Sequence, residues 1–162
     1  LYNFTPEVEV YSIDEAFLSL EPRKKSLDNL AFSIREKIYK WTGIPVSVGI
    51  AETKVLAKIA NKRAKKAELK EAGVLNLYRS PRTEPILKET QVDDIWGIGC
   101  RSALKLKAQN ILTAWQLREI DNRFIRRLLT VVGARIALEL RGIKCLPLEQ
   151  VSTKKHSITC SR

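Results

Sequence analysis

Tyr11-Ser12-Ile13-Asp14-Glu15-Ala16-Phe17 sets two adjacent carboxylates inside a stretch that otherwise reads as buried strand. Val8, Val10 and Tyr11 precede the pair and Phe17, Leu18 and Leu20 follow it, so both flanks carry the β-branched, aromatic and aliphatic side chains that suit a sheet. Consecutive side chains on a regular strand point to opposite faces, so Asp14 and Glu15 can serve one site only where the backbone turns or bulges. A tight turn joining strands at 8–12 and 16–20 meets that requirement. Two carboxylates this close repel one another unless a cation lies between them or one is protonated. A hard divalent ion such as Mg²⁺, held by one or two carboxylates together with substrate phosphates, is the simplest compensation. A solvent-exposed hairpin tip with no ligand is the alternative reading, because Asp and Glu are common at turns.

Outward from this hairpin, Leu27, Leu30, Ala31, Ile34, Ile38 and Trp41 recur at helical spacing, with Ser26 as the expected N-cap and Gly43 just past the end. Val46, Val48 and Ile50 then alternate as a short strand. Thr53 stands as the cap of a helix expected to run to about Leu69, and "VLNL" at 74–77 reads as a further strand. Strand and helix alternate here as in a helix-covered sheet. The polar segment 78–90 contains Pro81 and Pro85 and reads as a linker. From Val92 to about Arg141 the pattern is helical, in short units punctuated by Gly97, Gly99, Thr113 and Asp121. Trp96, Trp115, Leu117, Ile125, Leu129, Ile136 and Leu140 are expected in its core. Tyr11 and Tyr39 read as packing.

The composition limits the partners. Of 162 residues, 29 are Lys or Arg against 18 Asp or Glu, and the net charge of +11 calls for an anionic partner such as nucleic acid or a membrane surface. A hydrophobic content of 44% suffices for one good core or two small ones. No apolar run approaches a membrane span and no secretory signal opens the chain, so a soluble intracellular protein is expected. Cys100, Cys145 and Cys160 form no C-x-x-C pair, and His156 is the only imidazole, so free thiols are expected and zinc is not.

The residues 92–113 carry a mechanism of their own. Gly97 and Gly99 permit a tight inter-helical turn, and a helix beginning near Arg101 exposes unpaired backbone N–H groups at its start. The amides around Gly97, Ile98 and Gly99 can hold a DNA phosphate, with the helix dipole, Arg101 and Lys105 adding positive charge. Such contacts position a duplex without reading its sequence. A plain loop between packed helices is the alternative.

The phrase "YSIDEAFLSL" at 11–20 closely resembles the second catalytic motif of the Y-family, or lesion-bypass, DNA polymerases, in which an Asp-Glu pair at a palm hairpin binds the catalytic metals. Further likenesses follow in family order: "VSVGIAETKVLAKIANKRAKK" at 46–66 is similar to a strand and helix of the same palm, and "VDDIWGIGCRSALKLKAQNILT" at 92–113 to the thumb's helix-hairpin-helix. "ELRGIKC" at 139–145 and "SITCSR" at 157–162 resemble the UmuC-like bacterial branch. The resemblance implies an α+β fold: a partial palm over 1–88, with a small mainly antiparallel sheet covered by helices, then a small all-α helix-hairpin-helix thumb over 89–148. Residues 149–162 would be a linker and the start of a little-finger domain. No Met occurs, and the family's upstream metal-binding Asp and fingers do not precede Leu1, so an excised piece, inactive by itself, is expected.

For site residues the resemblance implies Asp14 and Glu15 as catalytic metal ligands for two Mg²⁺ ions in the complete protein, and Lys65 against the triphosphate of the incoming nucleotide. Cys100 departs from the family, which more often has a polar or basic residue there. The implied role is addition of deoxynucleotides to a primer 3′ end opposite damaged template, in DNA repair and the SOS response. Primer-template DNA and deoxynucleoside triphosphates are the implied partners, with an accessory subunit and sliding clamp through other regions, in the cytoplasm at the bacterial nucleoid. Two other readings stand beside it: a non-catalytic DNA-binding helix-hairpin-helix module, and a protein-interaction domain with a basic surface. Arginines 123, 126, 127, 135 and 141 on the helical half are expected to add a basic outer surface, with ordinary solvation of exposed helix faces as the alternative.

Overall fold

A computed structural model of the chain describes residues 1–21, 26–65 and 73–149. The far end of the helix expected to run from Thr53 to about Leu69, His156, Cys160 and the expected start of a further domain therefore lie outside the described residues. The chain divides into two compact units, one formed by 1–21 with 147–162 and the other by 22–146.

The first unit is built on a hairpin. Strands β1 (Val8–Val10) and β2 (Ala16–Leu18) pair antiparallel, with Val8 opposite Leu18 and Val10 opposite Ala16. Burial along β1 departs from the sequence pattern: Val8 and Glu9 are buried, whereas Val10 is 70% exposed. Glu9 accepts a hydrogen bond from the Glu149 amide at 2.8 Å, which gives a carboxylate oxygen in that position a partner.

In the second unit, helix α1 (Leu27–Thr42) ends at Gly43, whose φ of 71° is the left-handed conformation glycine adopts at little cost. Ser26 stands at the N-cap position but makes no side-chain cap bond. Only Ala31 and Ile34 of α1 are fully buried, while Trp41 and Tyr39 are 63% and 59% exposed, so neither joins a core as the sequence suggested. Strands β3 (Val48–Ile50) and β4 (Val74–Asn76) pair in parallel, unlike the hairpin. Parallel strands need a crossover, and helix α2 (Lys54–Ala64) lies within it. The class is α+β as expected, but the sheet consists of two separate pairs, one antiparallel and one parallel.

Backbone contact places α2. A Cβ built on Gly49 would come within 2.2 Å of the Asn61 nitrogen and 2.5 Å of the Ala57 oxygen, so β3 and α2 touch main chain to main chain. Asn61 fixes the register by accepting from Ser47 Oγ and donating to the Ser47 carbonyl, both at 3.1 Å. Gly49→Ala, which must separate these two elements, is expected to cost about 3 kcal/mol or more in a urea unfolding experiment. A loss below about 0.5 kcal/mol, the range of neutral surface changes, would contradict this packing.

The remainder is helical: α3 (Thr83–Glu89), a 3₁₀ turn at Val92–Asp94, α4 (Cys100–Lys107), α5 (Ala114–Glu119) and α6 (Asn122–Leu140). The expected linker thus contains a helix. Pro85 falls in the first turn of α3, where a backbone N–H has no helical acceptor in any case, so proline does not oppose it. Thr113 and Gln116 form a reciprocal capping box on α5, and Asp121 caps α6 through the amides of Arg123 and Phe124. One continuous core takes Val55, Leu56 and Ile59 from α2 and Leu87, Val92, Leu106, Leu117, Ile125 and Ile136 from the later elements. It draws on residues from both sides of position 88.

Glu139 is 1% exposed on α6. Its carboxylate accepts from the amides of Val55 at 3.2 Å, Cys145 at 2.7 Å and Leu146 at 3.0 Å, while its carbonyl accepts from Thr53 Oγ1 at 2.8 Å. A buried negative charge is thus placed at the N-terminus of α2, where the helix dipole favours it. Burial, then Glu139, push the Cys145 thiol up despite the opposing pull of Arg135, which keeps this free thiol protonated at neutral pH.

Candidate active site and nucleic-acid interface

The five residues between β1 and β2 form the turn that the adjacent carboxylates require. The amides of Tyr11 and Ser12 both donate to the Glu15 carbonyl, at 3.0 and 3.1 Å, which closes the loop. Ser12 Oγ donates to Asp14 Oδ1 at 2.7 Å and accepts from the Asp14 amide at 3.4 Å, a local ring that orients the aspartate. Tyr11 packs edge-on against Phe17, with ring centroids 5.7 Å apart. Asp14 is exposed, Glu15 is half-buried, and Ile13 projects fully into solvent. The donor set is entirely oxygen, without imidazole or thiolate, and no group of three or more His, Cys, Asp or Glu occurs among the described residues. Two carboxylates fit Mg²⁺, which takes few protein ligands and completes its octahedron with waters and substrate phosphates.

Thr53 caps α2 as its position suggested, accepting from the Leu56 amide at 3.4 Å. On this helix Lys62 is tied to Asp94 at 2.5 Å and Arg63 pairs with Glu89. Lys65 is the C-cap, is exposed, and has no side-chain partner among the described residues. The acids at 89 and 94 therefore neutralise its neighbours and leave this ammonium available.

At the inter-helical turn, Gly97 has φ of 90°, and a Cβ there would lie 2.8 Å from Ile136 Cδ1, so both conformation and space call for glycine. Gly99 is different. It is the extended N-cap of α4, a Cβ added there would meet nothing within 4 Å, and it faces solvent. The Ile98 amide donates to the Ile95 carbonyl at 3.0 Å and its side chain is 7% exposed, so Ile98 serves the turn by packing and offers no free amide. Donors for an anion are left to Gly97, Gly99 and the first turn of α4, where a helix supplies no acceptor of its own. Arg101 and Lys105 are both exposed on α4. Gly97→Val is expected to cost about 2–3 kcal/mol of stability by strain and overlap, whereas Gly99→Val should unfold within about 0.5 kcal/mol of the parent chain. Equal losses in thermal unfolding would contradict the distinction.

A family model described as the impB/mucB/samB family matches residues 1–62, the hairpin, α1, β3 and most of α2. The UmuC protein of Salmonella typhimurium is 43% identical over 164 aligned residues, covering 100% of this chain and 39% of that protein. The chain is similar over its whole length to UmuC-like proteins and, in fold, to Y-family DNA polymerases. DNA polymerase IV of Treponema denticola, at 28% identity over 99% of the chain, is a more distant relative. Among solved structures, a chimeric Y-family DNA polymerase superposes with a TM-score of 0.73 at 26% identity over 94% of this chain. DinB from Sulfolobus solfataricus gives 0.70 at 25% over 91% of it. The chain spans about 39% of the length of its UmuC relative and 43–44% of these two structures.

Sequence reasoning singles out Asp14, Glu15, Lys65, Gly97, Ile98, Gly99, Arg101 and Lys105, and the structure puts the first two in one turn and the last five around another. It did not reach Glu9 or Glu139. A lone Glu between two valines reads as the solvent face of a strand, and one in "ALELRG" reads as the polar side of a helix. Only the amide partners reveal that both are buried.

Proposed function

We propose that this chain supplies part of the palm, over about 1–88, and the thumb, over about 89–148, of a lesion-bypass DNA polymerase. The observation that carries the reading is the Asp14-Glu15 pair at a β-hairpin turn in a chain 43% identical to UmuC. Asp14 and Glu15 hold Mg²⁺, and Ser12 keeps the Asp14 carboxylate oriented toward that task. When bound, two such ions stabilise the attacking and leaving oxygens of an in-line displacement at the α-phosphate. Lys65 neutralises charge on the triphosphate of the incoming nucleotide as pyrophosphate departs. The amides of Gly97, Gly99 and the first turn of α4, with Arg101 and Lys105, hold phosphates of the primer-template duplex. The role places the protein in the bacterial cytoplasm at the nucleoid, and recruitment by an accessory subunit or sliding clamp is part of the same proposal. No helix among the described residues is long and apolar enough to cross a membrane.

Primer extension by a complete polymerase carrying this segment tests the assignment. Lys65→Ala should lower kcat/KM for the incoming nucleotide by roughly 10- to 1000-fold, a loss of about 1–4 kcal/mol of transition-state stabilisation. Lys62→Ala should cost much less, because Asp94 already engages that ammonium. Equal effects would replace a specific phosphate contact with a diffuse basic patch.

A further inference from the structure

The five arginines expected on the outer surface of α6 and its end do not share one fate. Arg141 is a structural bracket: its guanidinium donates to the Arg118 carbonyl at 2.6 Å, to Asn122 Oδ1 at 2.8 Å and to the Ile120 carbonyl. Arg135 lies close enough to Cys145 to act on its thiol. Arg123, Arg126 and Arg127 remain. All three are exposed, none has a side-chain partner among the described residues, and together they line one shallow groove. The acids beside them are committed elsewhere: Asp121 accepts from the amides that open α6, and Glu119 lies 3.7 Å from Arg118. Several other cations among the described residues of this unit do have partners, as in Lys62–Asp94, Arg63–Glu89, Lys88–Glu84 and Lys107–Asp93. Positions 123, 126 and 127 fall on one helical face at the spacing where neighbouring side chains meet. Mutual repulsion of three such guanidiniums is unfavourable unless an anion joins them.

We propose that the Arg123-Arg126-Arg127 face is a second phosphate-contacting surface that extends the duplex footprint of the Gly97–Lys105 turn. The inference rests on the DNA-binding reading of that turn. Continuity between the two is geometric. Thr130, one helical turn beyond Arg126, interrupts α6 with φ of 69°, and it shares a cavity of about 270 Å³ with Gly97, Ser102, Lys105 and Gly133. Along α6, Arg126 thus stands about one turn from a residue that lines the cavity beside Lys105. Guanidinium forks suit phosphodiester oxygens, which they bind in pairs of parallel hydrogen bonds, and all three positions carry Arg rather than Lys.

The test is fluorescence anisotropy of this 162-residue chain with a labelled mixed-sequence DNA duplex over a series of salt concentrations. The triple variant R123Q/R126Q/R127Q should reduce the magnitude of the slope of log K against log[salt] by about 2–3, and R101Q/K105Q should reduce it by up to about 2. The exposed positions make loss of fold unexpected, and R123K/R126K/R127K, which retains the charge, should keep the slope within about one unit of the parent. An unchanged slope in the triple Gln variant, with a reduced one in R101Q/K105Q, overturns the arginine surface and leaves the turn's role standing. Unchanged slopes in both remove the DNA reading of the turn itself. A reduced slope in the triple variant alone overturns the continuity of the two surfaces. Competition by poly-glutamate as effective as that by unlabelled duplex, lost in the triple variant, would assign the face to an acidic polypeptide and overturn the proposal.

Discussion

Asp14→Asn, introduced into a complete polymerase carrying this segment, abolishes nucleotide incorporation and leaves primer-template binding largely intact. The substitution keeps the size of the side chain and its capacity to accept from Ser12, so the hairpin retains its shape while the proposed metal ligand loses its charge. A fall of about 10³-fold or more in single-turnover incorporation is expected, equivalent to at least about 4 kcal/mol of transition-state stabilisation. The residues around Gly97–Lys105 that are proposed to hold the duplex are unaltered. Normal turnover by the variant would exclude Asp14 as a ligand, and a parallel loss of DNA binding would point to a structural role for the turn.

Glu139→Ala is the most destabilising single change expected in the chain, at about 3–5 kcal/mol. Removing the carboxylate leaves three amides, those of Val55, Cys145 and Leu146, without an acceptor at a site that is 1% exposed. Each orphaned buried donor costs about 1–3 kcal/mol, and entry of water offsets part of the sum. Against a total stability of about 5–15 kcal/mol, such a loss brings the chain close to unfolding at physiological temperature. Glu139→Gln keeps one acceptor oxygen and should cost distinctly less. A urea midpoint unchanged in Glu139→Ala would mean that the carboxylate is not the link between α2, α6 and the segment after it.

These residues also show what can be read from a chain and what cannot. The hairpin was legible because a pair of acids amid strand-forming residues requires a turn, and the helix starts at Thr53, Thr113 and Asp121 were legible because an oxygen-bearing side chain before an apolar run has a defined amide to bond. Local chemistry alone gave a helix-covered sheet, and the choice of α+β over α/β came from the family resemblance. Long-range pairing had no such signal: β3 and β4 are parallel because α2 crosses between them, and the sequence pattern of a short apolar strand is the same in either direction. Helix α3 was hidden by Pro85, whose effect depends on whether it falls in the first turn or later. Trp41 fits the helical period of α1 yet stays exposed, since periodicity marks a face without saying how much of it another element covers. At the candidate site, the residue types around Gly97–Lys105 were legible, but the engagement of the Ile98 amide by Ile95 and the pairing of Lys62 with Asp94 depend on three-dimensional neighbours.

The central claim is that the Asp14-Glu15 turn is a divalent-cation site, and paramagnetic broadening by Mn²⁺ in amide NMR spectra of this chain tests it most directly. Manganese shares the oxygen preference of magnesium and broadens resonances near the point of binding. The account predicts selective broadening of the amides from Ile13 to Ala16, relieved by competing Mg²⁺ and lost in both Asp14→Asn and Glu15→Gln. Broadening spread evenly over the surface acids, or unchanged at the hairpin when Asp14 is replaced, would contradict it.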